Sequence, residues 1–314
     1  MYKEAWDKII NARYIVIVSH IHPDGDTIGS TLALFSALKE QGKKVALFNA
    51  TKDELPREFS FLENFSKIQG KLPKFFDLLV SCDSASFDRL GVQKGDFEIV
   101  NIDHHRSNTN FGDINIVLGD ASSAGMVLYR LLKENGVFIS KRTATALYAS
   151  IADDTGFFRY GNIDENTFRS AAELIECGAD PKEISSRVKS SVSLAKTRLL
   201  AYMLSNFELH FDASVASITI DSDVLAATGA KRSDTKNIIS MLRDIANVKV
   251  ALMVLAQGDY CKVSLRSDED MDVSKVSAIY GGGGHKSAAG FEVKSSDVSA
   301  TRKEILDLLE SKNA

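Results

Sequence analysis

Short apolar runs separated by stretches of helical periodicity dominate the first half of the chain. Tyr14–Val18, Val45–Phe48, Asp77–Cys82 and Phe97–Ile102 are mostly apolar, as strands buried on both faces of a sheet are. Thr27–Gln41 places Leu32, Leu34, Phe35 and Leu38 on a helical pattern, with Gly42 as a stop. Ser122–Asn135 begins on serine caps and ends before Gly136, Lys141–Ala152 is rich in Ala and Leu, and Asp164–Cys177 ends at Gly178. Pro181–Leu204 reads as one or two further helices, with Pro181 in the first turn. This alternation predicts an α/β fold whose N-terminal part is a doubly wound, mostly parallel sheet with helices on both faces.

Near residue 210 the pattern changes. Ser214–Ile220 alternates, and Val248–Ala256 and Tyr260–Arg266 read as strands joined by a Gly258-Asp259 turn. Val273–Tyr280, the glycine run Gly281–Gly284, Ala288–Val293 and a closing helix over Asp297–Ser311 complete the chain. The expected division is an N-terminal domain over 1–188, a helical linker over 189–209 and a smaller mixed-sheet α/β domain over 210–314. At 314 residues, two cores are the natural prior.

Composition adds exclusions. With 44% hydrophobic and 25% charged residues the chain reads as globular, and no apolar run reaches the roughly 18 residues that span a bilayer. Three scattered cysteines without CxxC spacing fit reduced thiols in a cytoplasmic protein, and no secretory signal is recognisable. A net charge of −4 argues against a long duplex nucleic acid as partner, though not against a small phosphorylated ligand.

Five of the six histidines fall in three short stretches. His20, His22, Asp24 and Asp26 crowd a loop between the first strand and the first helix. Asp83 follows the strand ending at Cys82, Asp103-His104-His105 follows the strand ending at Ile102, and Asp153-Asp154 closes the Lys141–Ala152 helix. Taken singly, each has a plain reading: a Pro-Asp-Gly turn at Asp24, a helix cap at Asp83, a loop pair at His104-His105. Jointly they are acidic and imidazole groups at the carboxyl ends of parallel strands, where such sheets bind ligands. Oxygen donors with a minority of imidazoles and no thiolates suit Mn²⁺ or Mg²⁺, and so many donors suit two ions hydrolysing a phosphoester. In the second part, Gly281–Gly290 reads either as a flexible turn or as a backbone cradle for an anion, helped by His285 and Lys286. Arg266, at a strand end, reads as a surface arginine or as a phosphate contact completing that pocket.

His20-x-x-Pro-Asp24-Gly-Asp26-x-x-Gly-Ser30, Asp83, Asp103-His104-His105 and Asp154-Thr155 resemble the four motifs of the DHH phosphoesterase superfamily, and Gly281–Gly290 resembles the signature of its DHHA1 domain. The architecture is similar to stand-alone NrnA-like proteins, which degrade very short oligoribonucleotides and often dephosphorylate pAp. The resemblance implies a catalytic DHH domain, two manganese ions with magnesium as an alternative, and a substrate-binding DHHA1 domain. One ion would be held by His20, Asp24 and Asp83, the other by Asp26, Asp83, His104 and Asp154, with Asp83 bridging and catalytic. His105 would face the scissile phosphate as a catalytic and substrate-binding residue, with Asp103 orienting its neighbours. Arg266, Gly282, Gly283, Gly284 and His285 would hold the rest of the substrate. Relatives often carry a Glu where this chain has Met126, His22 has no role in the scheme, and Asp154 is preferred over Asp153 because the family pattern sets Asp before Thr.

The expectation is therefore an Mn²⁺-dependent phosphodiesterase releasing nucleoside monophosphates from short oligoribonucleotides, with pAp phosphatase activity beside it. The alternatives are a cyclic di-AMP or pApA phosphodiesterase and a catalytically inactive nucleotide- or RNA-binding module. No membrane partner is expected; relatives are often homodimers, but no feature of the sequence demands one.

Overall fold

A computed structural model of the protein describes residues 1–189, 193–235, 238–268 and 271–313. Contacts divide the chain into two compact units, Met1–Ser191 and Val192–Ala314.

The first unit contains α1 (Tyr2–Asn11), β1 (Tyr14–Ser19), α2 (Gly25–Glu40), β2 (Lys44–Phe48), β3 (Ile68–Gln69), β4 (Leu78–Cys82), β5 (Glu98–Asp103), β6 (Ile114–Val117), α3 (Ala124–Glu134), α4 (Lys141–Asp154), α5 (Glu165–Glu176) and α6 (Pro181–Lys189). Its six strands are all parallel, in the order β3-β2-β1-β4-β5-β6. The order reverses direction between β1 and β4, and this switch point opens a crevice at the carboxyl ends of those strands. Alternate strand residues face opposite ways. Ile15, Ile17, Val80 and Val100 pack against the helices, whereas Val16, Val18, Leu79 and Ile99 face the other side. That second face is covered not by helices, as expected, but by Phe76, Phe87, Phe97 and Phe111 from the connecting segments. Apolar rings from loops bury the same surface that a helix stripe would, so periodicity alone misjudged what covers it.

Three helices meet closely on the helical face. A Cβ on Gly29 would lie 2.6 Å from the Ala146 carbonyl oxygen, and one on Gly125 would lie 2.0 Å from Ser150 Oγ. Glycine lets α2, α3 and α4 approach at backbone distance, which brings the start of α2, the start of α3 and the end of α4 together.

The second unit contains α7 (Leu194–Asn206), β7 (Glu208–His210), β8 (Val215–Ile220), α8 (Ser222–Thr228), α9 (Ile238–Arg243), β9 (Val250–Gln257), β10 (Tyr260–Ser267), α10 (Val273–Ile279), β11 (Gly283–His285), β12 (Ala288–Val293) and α11 (Val298–Asn313). The sheet order is β11-β12-β10-β9-β8-β7, with β8 and β9 parallel and the other pairs antiparallel. Here helices do cover both faces. Val250, Leu252 and Val254 pack with Val276, Ile305 and Leu309, while Ala251, Met253 and Leu255 pack with Leu199, Met203 and Leu242. In the 189–209 stretch, expected as a helical linker, α7 buries Leu199 and Met203 in this core. Among the described residues no helix is long and apolar enough to cross a membrane.

Candidate metal centre

Asp24 caps α2, its Oδ1 accepting the Thr27 N–H at 3.1 Å. The cap turns the chain so that Asp24 Oδ1 lies 3.7 Å from His20 Nε2. His20 is buried at the end of β1, with Nδ1 2.7 Å from the Ile21 carbonyl oxygen. A carbonyl can only accept, so Nδ1 carries the proton and Nε2 presents a lone pair. That lone pair faces Asp24 and, at 3.4 Å, Asp83 Oδ2. Burial lowers the affinity of His20 for a second proton, but Asp24 and Asp83 outweigh it and raise its pKa to about 10. The site demands a positive charge there, from a proton or from a cation.

The second group is built the same way. His104 Nδ1 donates to the Ala121 carbonyl at 3.2 Å, which turns Nε2 towards Asp26 Oδ2 at 3.6 Å, Asp83 Oδ1 at 3.6 Å and Asp154 Oδ2 at 3.7 Å. Asp26 is buried at the start of α3, where the Ala124 N–H donates to Oδ2 at 2.7 Å and the Gly125 N–H to Oδ1 at 3.1 Å. The Ser150 hydroxyl also donates to Oδ1. These donors and the helix N-terminus hold a carboxylate that burial and the neighbouring Asp83 and Asp154 push well above the usual range. Asp154 lies in the last turn of α4; burial raises its pKa to about 6, with His104 opposing and Asp83 reinforcing.

Asp83 joins the two groups. It directly follows β4 in the left-handed region, φ 61°, a conformation that costs a non-glycine residue about 1–3 kcal/mol and tends to mark functional positions. Its Oδ2 faces His20 and its Oδ1 faces His104. Oδ1 is fully buried and has no hydrogen-bond partner among the described residues, an arrangement expensive for an anion unless a cation answers it. Separations of 3.4–3.7 Å are too long for hydrogen bonds. They approach the roughly 3–3.4 Å between ligand atoms around an ion bound at about 2.1 Å. His20–Asp24–Asp83 and Asp26–His104–Asp154 are each within reach of one cation, so the residues present fit divalent metal ions.

His105 is also near Asp83, and Asp83, His104 and His105 form a third possible ligand group. The atom concerned, His105 Nδ1, is 3.6 Å from Asp83 Oδ1 but 2.8 Å from Asp103 Oδ1. Nδ1 therefore donates to Asp103, which favours an oriented imidazole over a ligand through that nitrogen. Asp103 is itself fully buried and accepts from Asn108.

Asp153 turns elsewhere, its Oδ2 accepting the Gly25 N–H at 2.8 Å. Burial and then Asp24 raise its pKa to about 7. His22 points away as well; it is exposed, in the left-handed region at φ 53°, and paired with Glu54. Asn49, not singled out from the sequence, is fully buried and donates to the His20 carbonyl at 2.8 Å and Ser19 Oγ at 2.8 Å. Its Oδ1 accepts from the Thr51 N–H at 2.8 Å, and Thr51 Oγ1 accepts the His22 N–H at 2.8 Å. These bonds clamp the ligand loop to the end of β2. Nothing in one sequence marks Asn49, whereas Ser150 stands one helical turn before Asp154 and was within reach of an i, i+4 argument.

The comparisons agree with this geometry. Residues 14–151 match the DHH family, N-terminal domain, and residues 215–312 match the DHHA1 domain. The chain belongs to the DHH family. It is 32% identical, over 93% of its length and 88% of the relative's, to a bifunctional oligoribonuclease and PAP phosphatase NrnA of Thermus thermophilus. A protein of the same name from Bacillus subtilis is 27% identical over 90% of each chain. The crystal structure of an exopolyphosphatase-related protein from Bacteroides fragilis superposes with a TM-score of 0.92 at 27% identity, covering 99% of this chain and 96% of that one. The geometry brings His20, Asp24, Asp26, Asp83, His104 and Asp154 together and leaves His22 and Asp153 outside the group.

In the DHHA1 unit the glycine run has structural work. The Gly281 and Gly282 N–H groups accept no ligand role freely, since they donate to the Ala278 and Ser277 carbonyls and close α10. A Cβ on Gly282 would lie 2.4 Å from the Gly290 carbonyl oxygen and 2.4 Å from Phe291 Cβ. Gly283 and Gly284 pair with Gly290 and Ala289 as β11 of a hairpin. The expected open cradle is therefore largely a helix stop and an edge strand. The His285 side chain lies outside the described structure. Arg266 is half-buried on β10, with Nη1 donating to the Leu265 carbonyl at 3.0 Å.

Proposed function

We propose that this DHH-family phosphoesterase hydrolyses short oligoribonucleotides to nucleoside monophosphates and removes the 3′-phosphate of pAp, using two divalent cations of which manganese is the first choice. The observation that carries the reading is Asp83, whose two oxygens face two separate donor groups while one of them is buried without a hydrogen bond. The names of the Thermus and Bacillus relatives supply the substrate class.

In this reading His20, Asp24 and Asp83 hold one ion, and Asp26, Asp83, His104 and Asp154 hold the other. When bound, such ions supply Lewis acidity towards the phosphoryl oxygens and a more acidic water. The chain's own residues do the rest. The Ile21 and Ala121 carbonyls keep the protons of His20 and His104 on Nδ1, so that both rings offer Nε2. Burial lowers the His105 pKa while Asp103 and Asp83 raise it more, a net shift towards the protonated ring. Held through Nδ1 by Asp103, His105 faces the scissile phosphate and donates a hydrogen bond to the charge that grows there.

The deciding experiment is a side-by-side rate panel with Mn²⁺, from an RNA dinucleotide to a chain several times longer, with pAp and cyclic di-AMP alongside. Rates highest on the shortest RNAs and on pAp are expected. A long RNA cut fastest would overturn the assignment.

A further inference from the structure

Arg89 is a cation at the metal centre that the ligand set does not use. It belongs to the short turn Phe87–Leu90 that follows Asp83, and its carbonyl accepts the Ile21 N–H at 2.8 Å. The turn and the ligand loop are therefore tied together. Gly91 closes the turn at φ 61°, and a Cβ there would lie 2.4 Å from Ala50 Cβ, which leaves the backbone little room to shift. From this fixed base the exposed side chain reaches Nη2 to 3.2 Å from His20 Nδ1.

That contact is weak in the form of His20 that binds a cation. Nδ1 then carries its proton for the Ile21 carbonyl, 2.7 Å away, and a guanidinium N–H facing an imidazole N–H has no acceptor. Among the described residues no carboxylate oxygen lies within 4.0 Å of Arg89. Arg106 makes a useful contrast. It sits as near in sequence to the cluster, but its guanidinium is taken by Asp120 Oδ1 at 2.6 Å and the Gly119 carbonyl at 3.2 Å. Arg89 is thus a rigidly based fork of donors beside the His20–Asp24–Asp83 group, near enough for its charge to help hold the Asp24 carboxyl low but in no close ion pair with it.

We propose that Arg89 forms a second phosphate subsite beside the metal centre, which takes the terminal phosphomonoester of a nucleotide whose neighbouring phosphate is being hydrolysed. The planar guanidinium matches two oxygens of a phosphate, and a phosphomonoester near neutral pH carries close to two negative charges where a phosphodiester carries one. The subsite therefore selects short substrates that bear an end phosphate over the same diester without one. It rests on the phosphoesterase reading above and adds which end group that site rewards.

The test compares pApA with ApA, which share the diester and differ only in the 5′-phosphate, for the wild type, Arg89→Ala and Arg89→Lys. In Arg89→Ala, kcat/KM on pApA should fall about tenfold more than on ApA, the loss expected for a charge-assisted hydrogen bond, and mostly through KM. Arg89→Lys, a point charge without the fork, should recover part of that preference. A parallel loss on both dinucleotides overturns the proposal. So does an equally large fall in Mn²⁺ affinity of Arg89→Ala by direct titration, since either would make the residue a brace for His20. Affinities measured with Ca²⁺ in place of Mn²⁺, to hold back hydrolysis, separate the two readings. Should the wild type cleave neither dinucleotide, the nuclease reading falls, yet tighter binding of pApA than of ApA, abolished in Arg89→Ala, would still uphold the subsite and its absence would sink it.

Discussion

At the carboxyl end of the first sheet, side chains from α2, α4 and the segments after β1, β4 and β5 converge on Asp83, and the carboxylates among them repel one another. In the second unit the most conspicuous stretch, Gly281–Gly290, is a helix stop and a hairpin in which Gly282 and Gly284 lie against neighbouring backbone and Gly281 takes a positive φ. The first region is costly for the fold and explained by a ligand; the second is useful to the fold before any ligand is considered. An unusual run of residues is therefore weak evidence of function by itself. Buried groups that harm stability unless something binds are strong evidence.

The contrast is broken most severely at Asp83. Asp83→Ala should lower Mn²⁺-dependent turnover by about a thousandfold, several kcal/mol of charge stabilisation, in steady-state assays. Melting curves of the same variant carry a sign that distinguishes a metal centre from an ordinary core. In chelator the variant should be more stable than the wild type by about 1 kcal/mol, because a buried like charge is gone. With Mn²⁺ present the order should reverse, since the wild type gains binding free energy, about 2.7 kcal/mol per site at a hundredfold excess over Kd. The same order in both conditions would mean that Asp83 is simply structural.

Next in size is the loop clamp. Asn49→Ala removes the bonds to the His20 carbonyl and Ser19, and should weaken the binding of one Mn²⁺ by roughly 10–100-fold, as loss of a residue that orients ligands does. Two-site titration checks it, with the Asp26–His104–Asp154 site expected to hold its affinity.

Acidity probes the first region without mutation. Asp153 at about 7 and Asp154 at about 6 have folded pKa values above the ordinary carboxylate value of 3.8. The folded state therefore binds more protons than the unfolded chain between about pH 4 and pH 7. The stability these groups contribute is complete below pH 4 and lost as pH rises through 6 to 7. In chelator the melting temperature should fall over that window; with Mn²⁺, which takes the place of the proton on Asp154, the fall should flatten or invert.

The smallest effect on chemistry is expected from the second region. Gly282→Ala places a methyl 2.4 Å from the Gly290 carbonyl oxygen and should destabilise the second unit by about 1–3 kcal/mol in denaturant titrations. Mn²⁺ affinity should stay at the wild-type value. A loss of metal binding in this variant would erase the distinction between the two regions.

The strands with largely β-branched or aliphatic runs, β1, β2, β4 and β5, were readable because burial of their centres leaves few polar positions. The short β3 and β6 and the helices α1, α8 and α9 were not singled out: two- to seven-residue elements scarcely complete a period, and α1 lies ahead of the first strand signal. Aromatic loops over the second sheet face were beyond reach for a related reason, because Phe76, Phe87, Phe97 and Phe111 have no mutual periodicity.

By itself the sequence offered the candidate donors, which the family resemblance narrowed to six. His20, Asp24, Asp26, Asp83, His104 and Asp154 stand at the ends of elements, and an all-parallel sheet puts strand ends on one edge whatever its details. Only the tertiary structure decided how the donors are divided. Successive helical residues point about 100° apart, so packing of α4 sends Asp154 to His104 and Asp153 to the Gly25 N–H. Likewise a left-handed residue turns His22 out to Glu54, and one oxygen of Asp83 meets each imidazole. Side-chain direction depends on dihedral angles and on neighbours far away in the chain, and those exist only once the chain has folded.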